Sequence, residues 1–179
     1  MFTIRAKGKE AHSGYPWLGE SAIDMLLPAL SALQHLSLPS SEKFGNTTLN
    51  IGYIRAGEAS NVVPAAAEAG VCIRIAAGEP QTIKELVLDA IEQADNRLEV
   101  IFKPAMYAPV DIDHDIPGFE VTTVNYGTDV PNQKGKNKKY LFGPGSILVS
   151  HTSQEHLTVQ DLEEGVAGYK RIILHALQT

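Results

Sequence analysis

Cysteine is nearly missing from this chain. Its 179 residues include one, Cys72, so no intrachain disulfide can form and no zinc site can be built from thiolates. Cys72 sits in a strand-like run and reads as a small apolar filler. Long apolar runs are also missing, and no stretch approaches the roughly 20 residues that a membrane span requires. Positive charge is scarce. The formal net charge is -6, and the one basic cluster, Lys134 to Lys139, reads as a solvated loop. This balance opposes nucleic acid as the main partner. No signal-peptide pattern is seen at the N-terminus, so the compartment, secreted or cytoplasmic, is not legible there. Asn46-Thr47-Thr48 fits an N-glycosylation acceptor, a short pattern that is frequent by chance.

What is present is globular. Hydrophobic residues make up 44% and charged residues 20%, enough apolar content to exclude disorder. Residues 2 to 7 alternate as a strand, with Phe2, Ile4 and Ala6 on one face. A Gly- and Pro-rich loop, Gly8 to Gly19, precedes a helix over roughly Glu20 to Leu36. Its stripe is Ala22, Met25, Leu26, Ala29, Leu33 and Leu36, and Pro28 should kink or split it. A second strand, Thr47 to Ile54, places Leu49, Ile51 and Tyr53 together. A third, Ala67 to Ala76, places Val71, Ile73 and Ile75 on one side and Cys72 and Arg74 on the other. Pro80 suits the first position of a second helix carrying Ile83, Leu86, Val87, Ala90 and Ile91. Leu98 to Phe102 is the fourth strand. The order β-α-β-β-α-β predicts an α+β, ferredoxin-like sheet with both helices on one face, closing near residue 105.

The remainder, 106 to 179, reads differently. A Pro- and Asp-rich linker runs from Lys103 to Gly118. Phe119 to Val124 and Ser146 to Val149 are predicted strands, and Tyr126-Gly127-Thr128-Asp129 a turn. A last helix starts after Thr158 as N-cap, with Asp161 three residues on, an approximate capping box. Leu162, Val166, Tyr169 and Ile173 are its expected buried stripe. Two strands and one helix cannot bury a core of their own. This segment is therefore expected to belong to a larger sheet.

The Gly143-Pro144-Gly145 turn, a short apolar run and then His151 form the arrangement in which α/β proteins gather ligands. A histidine there points to a metal, yet one histidine cannot hold one. Asp113-His114-Asp115 sits in a linker, and Glu163-Glu164 lies in the last helix. Neither completes a ligand set, and a catalytic zinc usually needs about three protein ligands plus water.

Five motifs stand in order. They are Gly8-Lys9-Glu10-Ala11-His12-Ser13-Gly14-Tyr15-Pro16, Gly57-Glu58-Ala59-Ser60-Asn61-Val62-Val63-Pro64, Cys72-Ile73-Arg74, Tyr126-Gly127-Thr128-Asp129, and Gly143-Pro144-Gly145 followed by His151-Thr152-Ser153-Gln154-Glu155. Each is weak alone. In series they closely resemble the zinc-dependent metallopeptidases and deacylases of family M-twenty, the acetylornithine deacetylase, succinyl-diaminopimelate desuccinylase and glutamate carboxypeptidase type, and especially its fungal carboxypeptidase branch. The resemblance covers the whole chain.

The resemblance implies that residues 1 to 105 form a lid and dimerisation domain. It implies that 106 to 179 form the C-terminal part of a catalytic domain, here incomplete. The activity implied is hydrolysis of an amide or peptide bond in a small peptide or N-acyl amino acid, by a homodimer with two zinc ions. By resemblance His12 donates to the oxyanion of the partner subunit's site, and Asn61 and Arg74 bind substrate. Gly143 and Gly145 receive a substrate carboxylate, Thr128 lies in the active-site turn, His151 is a zinc ligand and Glu155 orients it. The family's His-x-Asp, bridging Asp and Glu-Glu pair are not in this sequence, so the chain alone is expected to be inactive and to bind no stoichiometric zinc. The alternative is a non-catalytic dimerisation module.

Overall fold

The computed structural model describes residues 1–178. The chain divides into two compact units. The first holds Met1–Pro109 and Thr123–Gly127; the second holds Val110–Thr122 and the chain from Thr128 onward.

The first unit is built on four principal strands and two helices. They are β1 (Phe2–Lys7), α1 (Ala22–Gln34), β5 (Thr48–Ala56), β7 (Ala66–Arg74), α2 (Pro80–Ala94) and β8 (Glu99–Phe102). Four two-residue strands, β2 (Ala11–His12), β3 (Ser40–Ser41), β4 (Gly45–Asn46) and β6 (Val62–Val63), make two small ribbons beside them. The main sheet is antiparallel in the order β5-β7-β1-β8, which is the ferredoxin-like arrangement the sequence predicts.

Alternation decides which face is buried. Phe2, Ile4, Ala6, Ala67, Ala69 and Val71 join Ala22, Met25, Leu26, Ala29, Leu30 and Leu33 of α1 and Val87 and Ile91 of α2 in one core. Fully burying an aliphatic side chain of this kind stabilises by about 1.5–3 kcal/mol. On α2, Leu86 points outward instead of joining the stripe.

Helix α1 begins at Ala22 because Ser21 caps it, its hydroxyl accepting the Asp24 N–H at 3.2 Å. Pro28 neither splits nor ends it; the helix is continuous over 13 residues. Pro28 is exposed, so the carbonyl that loses its partner faces water, while the stripe on either side holds both turns on the sheet.

One strand breaks the predicted alternation. A register shift lies between Ile51 and Tyr53, where β5 carries an extra residue, Gly52. A bulge moves every following side chain to the other face. Tyr53 therefore leaves Leu49 and Ile51 and lies over Gly70 on the helix-free face. There its hydroxyl donates to Glu68 at 2.8 Å, and Glu68 also accepts from Arg5 Nε at 2.8 Å. The Arg5 guanidinium holds Glu68 below the usual carboxylate range, and the Tyr53 hydroxyl adds to the effect.

The second unit contains no strand among its described residues. Phe119 to Val124 is irregular, and Ile147–Val149 is a 3-10 turn capped by Ser146, whose hydroxyl accepts the Leu148 N–H at 3.2 Å. Both predicted strands are thus corrected. A strand needs a neighbour for its backbone groups, and nothing in this unit offers one. Helix α3 (Val159–Gln178) forms as expected. Its capping box is made: the Thr158 hydroxyl accepts the Asp161 N–H at 3.0 Å, and Asp161 accepts the Thr158 N–H at 2.9 Å. The stripe predicted to be buried, Leu162, Val166, Tyr169 and Ile173, is exposed. The Phe142-Gly-Pro-Gly turn lies on α3 at two glycines: Phe142 fills the space a Cβ at Gly168 would take, and Pro144 the space at Gly165. The Tyr169 hydroxyl donates to the Phe142 carbonyl at 2.9 Å.

Candidate active-site residues

The loop carrying His12 is pinned by its backbone. Lys9 and Glu20 exchange N–H···O bonds, each 2.8 Å. Gly8 donates to Ala65 and Ala22 to Pro64, also at 2.8 Å. Two glycines permit these approaches. A Cβ at Gly8 would stand 2.0 Å from the Glu20 carbonyl oxygen, and one at Gly19 would stand 2.7 Å from that of Lys9.

This clamp presents β2 to β6. His12 lies opposite Val62 and Ala11 opposite Val63. The Ser13 N–H donates to the Asn61 carbonyl at 2.9 Å and the Tyr15 N–H to the His12 carbonyl at 2.8 Å. His12 and Asn61 are therefore neighbours on two joined loops, and both are exposed.

The His12 ring has a defined hydrogen-bonding polarity. Its Nδ1 accepts the Gly14 N–H at 3.0 Å. A neutral imidazole with an acceptor at Nδ1 carries its proton at Nε2. The free end of the ring is then a donor. The Tyr15 ring lies 5.9 Å from it, centroid to centroid.

Arg74 does not join this pair. It ends β7, opposite Thr48, whereas the His12 loop is bonded to the chain just before Ala66, where β7 begins. Eight residue steps of strand separate the two ends, roughly 26 Å at 3.3 Å per residue. Arg74 lies instead against Gly127, where a Cβ would come 3.1 Å from its Nη1. The next residue, Thr128, belongs to the second unit, and its hydroxyl accepts the Val130 N–H at 3.3 Å.

In the second unit Gly145 has φ 76° and its Cβ position is filled by Leu157, so glycine is required there; Gly143 has open space around it. His151 is exposed with φ 62°, a left-handed conformation uncommon outside glycine. Glu155 holds it there. Its carboxylate accepts the His151 backbone N–H at 2.9 Å and the Ser150 hydroxyl at 3.3 Å. The contact is with the His151 main chain and leaves the imidazole exposed. Among the described residues no three His, Cys, Asp or Glu side chains stand together as a metal site. A single exposed imidazole does not fit zinc, which takes about three protein ligands even in an open catalytic site.

The sequence singled out His12, Asn61, Arg74 and His151 as candidates but did not identify Gly14 as the donor to the His12 ring. It also missed Gly8 and Gly19 as the pins of the loop. The density of glycine around His12 was the available signal.

This architecture has known counterparts. The model of the peptidase dimerisation domain matches residues 1–99, and the chain belongs to the M-twenty peptidase family. It is 52% identical over 199 residues to a probable carboxypeptidase of Emericella nidulans, covering 99% of this chain and 47% of that protein. It is 53% identical over 192 residues to a probable carboxypeptidase of Aspergillus niger, covering 99% and 46%. The chain thus spans about half the length of these relatives. Among solved structures, aminopeptidase PepT of Bacillus cereus is similar in fold, with a TM-score of 0.63 and 20% identity, over 98% of this chain and 51% of that one. Among the described residues no helix is long and apolar enough to cross a membrane.

Proposed function

We propose that this chain supplies the lid and the C-terminal segment of a zinc-dependent hydrolase that cleaves an amide or peptide bond in a small peptide or N-acyl amino acid. The boundary between the two parts lies near residue 105. The protein works as a homodimer. His12 stabilises the oxyanion that forms in the partner subunit's site, with Asn61 beside it on the substrate carbonyl. Arg74 is a substrate-binding residue of the first unit, and Thr128 and the backbone at Gly143 and Gly145 are substrate-binding groups of the second. His151 supplies one imidazole toward the metal and Glu155 fixes its backbone. Residues outside this chain supply the rest of the metal site.

The observation that carries this reading is the polarity of the His12 ring. An oxyanion requires a donor already oriented where charge develops, and the Gly14 N–H on Nδ1 leaves Nε2 as that donor. The distance to Arg74 supports action across the dimer, because one small substrate cannot touch both ends of β7 in a single chain. In a two-fold dimer each site then receives its His12 from one chain and its Arg74 from the other.

The test is a chimera in which this chain replaces the matching half of the Emericella nidulans protein. It should hydrolyse N-acyl amino acids or dipeptides in a zinc-dependent manner. His12→Ala should lower kcat by about 10²–10³-fold, the effect of losing one oxyanion donor. Retention of full kcat in His12→Ala contradicts the assignment.

A further inference from the structure

An aromatic pair lies on one side of His12, and the proposed chemistry leaves it without a task. Tyr15 packs its ring 5.9 Å from that of His12, and Trp17 meets Tyr15 edge-on at 5.6 Å. Trp17 is 73% exposed and Tyr15 55%, while Val62, directly opposite His12 in register, is 39% exposed. Trp17 sits in the 3-10 turn Pro16–Leu18. The turn is fixed by the same close approaches at Gly8 and Gly19 that fix His12.

We propose that Tyr15 and Trp17 form a specificity wall that receives an apolar or aromatic side chain of the substrate whose carbonyl His12 engages. The proposal rests on the His12 assignment made above. Three features carry it. The rings are continuous with His12, so a molecule bonded to Nε2 lies within reach of them. Each ring has only two χ angles to fix, so contact costs little conformational entropy. The Tyr15 and Trp17 rings and Val62 are themselves uncharged, which favours apolar substituents over acidic or basic ones. Tyr15 and Trp17 act here as specificity residues, and His12 remains the group at the reacting carbonyl.

Trp17 is the only tryptophan of the chain, so its emission reports on this patch alone. The full chain is titrated with N-acetyl-L-phenylalanine, N-acetyl-L-leucine and N-acetylglycine, following Trp17 emission and the His12 ring resonances together. The expected result is a saturable blue shift with the phenylalanine and leucine derivatives, and binding of the glycine derivative about tenfold weaker, the scale of discrimination in an apolar pocket. Trp17→Ala, followed through His12, should weaken the phenylalanine derivative by a similar factor and leave the glycine derivative unchanged. Equal affinity across the series, with His12 responding and Trp17 silent, overturns the wall and leaves the His12 reading standing. Silence of both residues overturns the wall, while the His12 reading is tested by the chimera. An emission change that follows protein concentration and not ligand assigns the patch to contact between copies, and also overturns the proposal.

Discussion

The Gly14 N–H donates to Nδ1 of His12 across 3.0 Å, so the backbone of the loop sets the tautomer of its own histidine. A Cβ at Gly14 would lie 3.2 Å from that nitrogen. Gly14→Ala should therefore turn the ring and disturb the Nε2–H tautomer. Global stability should change by less than about 1 kcal/mol, since the site is exposed. Nitrogen chemical shifts of His12 check the first expectation and thermal unfolding the second.

Tyr53 and Gly70 make a tighter test of the fold. A Cβ at Gly70 would stand 2.1 Å from the Tyr53 ring. Gly70→Ala should displace the ring, break its bond to Glu68 and cost about 1–3 kcal/mol, as overpacking does. Tyr53→Phe, which removes only the hydroxyl, should cost about 1 kcal/mol or less. Urea denaturation distinguishes the two.

The prediction for acid follows from two aspartates. Asp95 is held down to about 2 by its bond to Arg97, and Asp115 to about 2 by Lys138 and then by the Tyr140 hydroxyl. A carboxylate depressed in the folded state contributes stability above its unfolded value near 3.8, and that contribution is lost as the pH falls toward 2. Stability should therefore decline across that window, and Asp95→Asn or Asp115→Asn should flatten the decline. Asp115 is exposed, and Arg97, the partner of the largely covered Asp95, is half exposed, so each contribution is small and weakens with salt. Circular dichroism against pH at two ionic strengths measures it.

Zinc provides a separate check on the second unit. With His151 as a lone imidazole, the purified chain should hold well under one tightly bound zinc after dialysis. Elemental analysis giving one zinc per chain would show a ligand set assembled in some other way.

Much of the first unit was legible because its elements obey simple periods. Phe2, Ile4 and Ala6 alternate, Ala22 to Leu33 repeat at helical spacing, and Pro80 marks a helix start. Tyr53 was misplaced because one extra residue, Gly52, reverses the alternation, and a bulge has no strong local signature. The second unit was less legible for another reason. Ile147 to Val149 is apolar enough for a strand, but a strand is a pairing between segments, and this unit supplies no partner. The exposed stripe of α3 has the same origin. At the site, motif order pointed to Asn61 and Arg74 together. The nine-residue length of β7 sets them at opposite ends of the sheet.

That separation gives the most direct test of the central claim, that His12 serves the neighbouring subunit while Arg74 serves its own. In the chimeric enzyme, His12→Ala and Arg74→Ala subunits are each prepared, mixed, and allowed to exchange. Each homodimer has every site damaged. Each mixed dimer has one site with both residues intact and one with neither, so an equal mixture should recover about a quarter of the unmutated activity. Mixing that restores nothing, with exchange verified, would place His12 and Arg74 in the same subunit's site and contradict the account.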